Sequence, residues 1–244
     1  RRDNKDMLTP DSFYVNLQGL EQWAKLEQNA VSRAVLNSLV ANIYADYVVG
    51  NRWELRQRTS LDLEGNALPK DIRGWSGNLF MQQVMKYTDE ALKDSVELLN
   101  TSSRSYVPFA SEYYHHDMYH LLASRSIEAL QNVSDFDTDT LVKSKIMGIY
   151  GQMINTYRKM PDREDATVLT MLDYMKWRNQ REDVLLRPRT LKEGESDAPN
   201  QYLRALDRII KDYAKRDVCA EAYLAKARYY RNEQENQKAL QLCD

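Results

Sequence analysis

The chain reads as all-α, and three observations lead there. Apolar residues recur at helical spacing along most of its length. No stretch alternates apolar and polar residues as a half-buried strand does. Only 8 glycines and 6 prolines punctuate 244 residues, too few for a β protein, which turns roughly every ten residues. With 43% hydrophobic and 29% charged residues, the chain has enough apolar material to bury a core.

The elements follow in order. Pro10, after Thr9, suits the first turn of a helix, where its missing N–H costs nothing. Leu36, Val40, Ile43 and Tyr47 form one stripe, and Phe80, Val84, Tyr87, Ala91 and Leu98 a second. Val142, Ile146, Ile149, Met153 and Tyr157 form a third, and Leu203, Leu206, Ile210 and Tyr213 a fourth. Loops are expected at 64–71, 103–111, 159–165 and 187–200, where Gly, Pro and polar residues cluster. The last is the longest and marks the expected boundary between a helical domain, 1–186, and a smaller one, 199–244. About nine helices are expected in all. Short loops favour antiparallel pairs, stacked as an α-solenoid or superhelix so that each stripe is covered by the next pair. Gly148 and Gly151, three apart inside a helical stretch, suggest a close helix–helix crossing or, alternatively, a kink or a partner's approach.

The C-terminal part carries a repeat signal. Ala205 and Ala239 are 34 residues apart, the period of tetratricopeptide repeats. Aligned on Ala239, the residues Tyr223, Ala227 and Tyr230 fall where the first helix of such a repeat wants an aromatic, a small residue and a tyrosine. Lys226 departs from the pattern by occupying a position usually held by Leu. The tail is therefore expected to be tetratricopeptide-like and to stop within the second helix of a repeat. Leu240 or Leu242, and Tyr229 or Tyr230, should then be partly exposed.

Charge and motifs exclude more than they include. The 34 basic and 36 acidic residues nearly cancel, so no global pull toward nucleic acid or anionic membrane exists. No apolar run approaches the roughly 18 residues of a spanning helix, so no membrane insertion by this chain is expected. Residue 1 is Arg and no apolar leader follows, which reads as a segment of a longer polypeptide. Cys219 and Cys243 have no zinc spacing and read as two buried thiols or one helix-bridging disulfide.

The stretch EYYHHDMYH at 112–120 holds all 3 histidines. His116 and His120, four apart, would share one helical face; Glu112 lies a turn before His116, and Asp117 projects elsewhere. Two imidazoles so placed can hold zinc, the basis of an alternative reading as a zinc-dependent hydrolase. The HEXXH order is broken by Asp117 and Met118, so a solvated helix start is the preferred reading. Trp23, Trp53, Trp75 and Trp177 could line an aromatic cleft, but large aromatics in helical repeats more often fill gaps between helices. NRWELRQRT at 51–59 is a short basic stretch that reads as a solvated helix face. No phosphate loop, nucleophile elbow or Cys–His pair stands out, so no catalytic, cofactor-binding or metal residues are assigned and no cofactor is expected.

One resemblance adds to this. LNSLVANIYADYVVGNRWELRQRTSLDLEG, then DIRGWSGNLF and LLNTSSRSYVPF, resembles the N-terminal helical region of the large alpha-2-macroglobulin family proteins of Bacteroides and relatives. The pieces are Asn51-Arg52-Trp53, Gln57-Arg58-Thr59, Asp71-Ile72-Arg73 leading to Trp75, and Asn78-Leu79-Phe80. Their order carries the likeness, which runs on through YHLLASRSIEAL. It implies a long secreted, outer-membrane-anchored parent with macroglobulin domains, a protease bait region and often a Cys-x-Glu-Gln thioester. Cys219 is followed by Ala-Glu-Ala and Cys243 by Asp244, so no thioester maps here. The implied role is a non-enzymatic scaffold or interaction domain, whose partners are the parent's other domains or a peptide in a concave groove. A free-standing peptide-binding adaptor is the alternative.

Overall fold

A computed structural model of the chain describes residues 10–58, 71–109, 111, 113–138, 140–186 and 201–242, without the side chains of 10–13 and 181–186. The described residues hold eleven α-helices and no strand. They are α1 (Pro10–Leu26), α2 (Ala30–Gly50), α3 (Arg52–Gln57), α4 (Gly77–Leu92), α5 (Ser95–Leu99) and α6 (Met118–Val133). Then come α7 (Leu141–Tyr157), α8 (Glu164–Leu186), α9 (Gln201–Asp212), α10 (Cys219–Asn232) and α11 (Asn236–Leu240). The count exceeds the expected one because α3, α5 and α11 have 6, 5 and 5 residues, too short to display a stripe. Two compact units divide between Ile149 and Tyr150, inside α7. The polar stretch at 187–200, where a boundary was expected, lies outside the described residues, as do the loop at 64–70 and Cys243.

In the first unit α2 packs against α1, α4 and α6. Val40, Tyr44, Ala45 and Val48 of α2 are fully buried, and Asn29 caps the helix by accepting from the Ser32 amide at 2.9 Å. An aromatic cluster fills the space between α1, α2 and α4. Trp75 meets Tyr14 edge-on and Tyr44 face-on, both at 5.5 Å, and Phe80 at 5.1 Å. The buried Tyr44 hydroxyl is satisfied within the protein, donating to Glu21 at 2.8 Å. Burial first, and the Glu21 charge second, push that phenol well above its usual range.

Three glycines separate what sequence spacing can and cannot say. At Gly77, the first residue of α4, a Cβ would run into the Phe136 ring, which would have to shift. At Gly148 and Gly151 a Cβ would meet nothing within 4 Å. The close crossing expected there is absent among the described residues. Asp137, not a residue of the helix itself, caps α7: its carboxylate accepts from the Leu141 and Val142 amides at 2.9 and 2.8 Å.

The second unit is built on Val168, Leu169 and Leu172 of α8, Leu206 and Ile209 of α9, and Val218 and Ala222 beside and within α10. Trp177 is buried with Tyr150 and Tyr174 against it, at 6.0 and 6.2 Å. Lys226 bonds to Asp207 of α9 at 2.6 Å. Cys219 is a buried free thiol, raised by burial. Helix α11 buries no residue; Leu240 is 66% exposed and Tyr229 and Tyr230 are half-buried.

Candidate functional site

The histidine-bearing stretch folds differently from the pattern four residues apart. Helix α6 begins at Met118, and Asp117 is its cap, accepting the His120 amide at 2.8 Å. His116 therefore precedes the helix, and the rule that puts i and i+4 on one face does not reach it. The partner of His120 is His115: their Nδ1 atoms stand 3.2 Å apart, one donating and the other accepting. The His116 ring lies edge-on to His120 at 6.0 Å.

Nor is the helix start solvated. His120 is 2% exposed and Asp117 1%, while His115 and His116 are half-buried. Burial, with the neighbouring His115 and His116, pushes the His120 imidazole down to about 3. Burial lowers His115 as well. Both rings are therefore neutral at pH 7, the state in which one imidazole N–H can bond to another imidazole nitrogen.

The approach to α6 is fastened at further points. Ser103, fully buried, donates its hydroxyl to the His115 carbonyl at 2.6 Å. The Met118 amide donates to the Thr101 carbonyl at 2.9 Å. Tyr106 is tied as well, its hydroxyl 3.1 Å from that of Ser32 at the start of α2, while Phe109 is 99% exposed and Tyr113 and Tyr114 are also exposed. Among the described residues no set of three His, Cys, Asp or Glu is arranged to hold a metal ion. Glu112, the nearest candidate third ligand in the sequence, lies outside them.

The basic stretch at 51–59 is engaged internally rather than solvated throughout. Arg56 reaches Asp135 at 2.8 Å, and Arg52 reaches Asp135 at 3.3 Å. Arg52 also donates to the Asn132 carbonyl in the last turn of α6 at 3.3 Å, where a helix end favours a cation. Arg58 donates to the Trp75 carbonyl at 3.1 Å. Sequence spacing held no signal for the partners of Arg52 and Arg56, about 80 residues away along the chain. Of the four tryptophans, Trp75 and Trp177 are buried and Trp23 and Trp53 exposed, so they do not line one cleft.

The second unit offers a groove of about 200 Å³ between α8 and α9. Among the described residues Tyr174, Met175, Arg178, Asn179, Gln201 and Tyr202 line it, a mix of aromatic, thioether, amide and cationic groups. Such a lining can sandwich an apolar side chain and hydrogen-bond a peptide backbone. No family model, curated protein or solved structure matches the chain. No described helix is long and apolar enough to cross a membrane.

Proposed function

We propose that this chain is a non-enzymatic helical scaffold and interaction domain of a large secreted, alpha-2-macroglobulin-like protease inhibitor. The observation that carries the interaction part is the α8–α9 groove, whose amide, aromatic and cationic lining suits a peptide segment. The resemblance of the 36–109 region carries the parent. The helix–turn–helix of α10 and α11 supports a tetratricopeptide-like tail: Tyr223, Ala227 and Tyr230 lie on the first helix and Ala239 on the second. Stacked helix pairs of that kind form a solenoid with a concave surface for partners. The partners are then the parent's remaining domains or a peptide, with no nucleic acid engaged and no membrane insertion by this chain, and the setting is the periplasm or the outer-membrane surface.

The test is protease trapping by the parent with and without residues 1–244. Retained secretion with weakened trapping supports a scaffold that positions the inhibitor body. Unchanged trapping overturns that role. An open reading frame that closes soon after residue 244, with no macroglobulin domains, points to the free-standing adaptor instead. Tyr202→Ala should weaken binding of the partner domain at least tenfold, about 1.4 kcal/mol, in a calorimetric titration; an unchanged affinity would remove the groove from the reading.

A further inference from the structure

We propose that the His115–His120 pair is an acid-weakened latch, which fastens the aromatic-bearing approach to α6 at neutral pH and lets go as histidines take up protons. The geometry supplies the parts. One imidazole is fully enclosed, the other half-enclosed, and a single Nδ1–Nδ1 hydrogen bond of 3.2 Å joins them. The backbone of His115 is itself a tie point, through Ser103. Detaching His115 therefore loosens both the ring contact and the carbonyl contact.

The direction with pH follows from linkage. In the opened form both imidazoles meet water and take their ordinary value, about 6.5. In the closed form His120 stays neutral down to about 3. Between these limits the opened form binds more protons, so opening becomes easier as pH falls below about 6.5. The latch is fully engaged above that value. His120 alone raises the opening constant about tenfold from pH 7.5 to 5.5, and His115 adds to this.

No described carboxylate offsets the effect. Helix α6 packs against α2, α4 and α5. Arg33 of α2 pairs with Asp94, and Asp46 is exposed. On α4, Asp89 pairs with Lys145, Glu90 with Lys93, and Lys86 lies over Tyr87. Glu97 of α5, and Arg125 and Glu128 of α6 itself, are exposed. Asp135, just past α6, is engaged by Arg52 and Arg56. Asp117 caps the helix through its backbone contact. Among the described residues the charges that act on the His120 ring are those of His115 and His116, both of like sign when protonated.

Native-state amide exchange of the full chain at pH 7.5 and 5.5, corrected for intrinsic rates, tests this. The His115 and Met118 amides should open at lower free energy than the Tyr44 amide in α2, and their protection should fall about tenfold or more between the two pH values. In His120→Gln the fall should shrink to under threefold. Protection equal to that of Tyr44 at both pH values would mean global unfolding only and would overturn the latch. Should His120→Gln not fold, the imidazole resonances of the unsubstituted protein decide the matter. A His120 ring that titrates near its ordinary value in the folded state removes the proposal; one still neutral at pH 5 upholds it.

Discussion

Trp75 and Leu240 stand at opposite ends of one scale. Trp75 has helices α1, α2 and α4 around it, represented by Tyr14, Tyr44 and Phe80, and no exposed surface. Leu240 belongs to a helix that buries nothing. In the first unit a side chain such as Trp75 is held by several neighbours at once; in α11 it leans chiefly on α10. The stability of a segment follows the number of partners that must be lost together, so the two regions should differ in what a substitution costs.

The largest effect is expected at the enclosed end. Trp75→Ala removes the centre of the aromatic cluster and should destabilise the first unit by about 3–5 kcal/mol; urea unfolding that shows less than 1 kcal/mol would break the comparison. Gly77→Ala should come next, about 1–3 kcal/mol, since the new methyl displaces the Phe136 ring from the start of α4. Gly148→Ala should act in the opposite sense, stabilising by about 0.5–1 kcal/mol, because it adds a helix former over open space. A loss of stability there would reveal a packing partner. Leu240→Ser should change thermal stability least, by under about 0.5 kcal/mol, while amide exchange finds α10 and α11 less protected than α2.

These residues also show what could be read from sequence. The stripes Phe80–Val84–Tyr87–Ala91–Leu98 and Val142–Ile146–Ile149–Met153–Tyr157 are buried throughout, because helical period reports directly which face seeks cover, although Leu98 stands on α5 and not on the helix of the other four. The stripe at Leu203–Tyr213 was read less well: Leu206 and Ile209 are enclosed, and Leu203, Ile210 and Tyr213 only half so. The centre of the stripe lies in the core with α8 and α10, and its edges stay partly wet. Gly148 and Gly151 were legible as a spacing but not as a surface, since period does not say which neighbour is present. The histidine site failed for a local reason. A cap at Asp117 places the first two histidines before the helix, so helical arithmetic paired His120 with the wrong ring. Arg52, Arg56 and Arg58 failed for a distant one, their partners being set by the packing of the unit.

The placement of the tryptophans has an optical consequence. Trp23 and Trp53 are 58% and 72% exposed, so their emission is open to a dissolved quencher and replacing both with Phe removes little packing. What remains is one shielded emitter in each unit, Trp75 in the first and Trp177 in the second. Trp177, with Tyr150 and Tyr174 beside it, also collects energy absorbed by those two phenols. A Trp23→Phe, Trp53→Phe protein thus carries its own pair of fluorophores, and the melting of either unit can be followed by the colour of the light it emits.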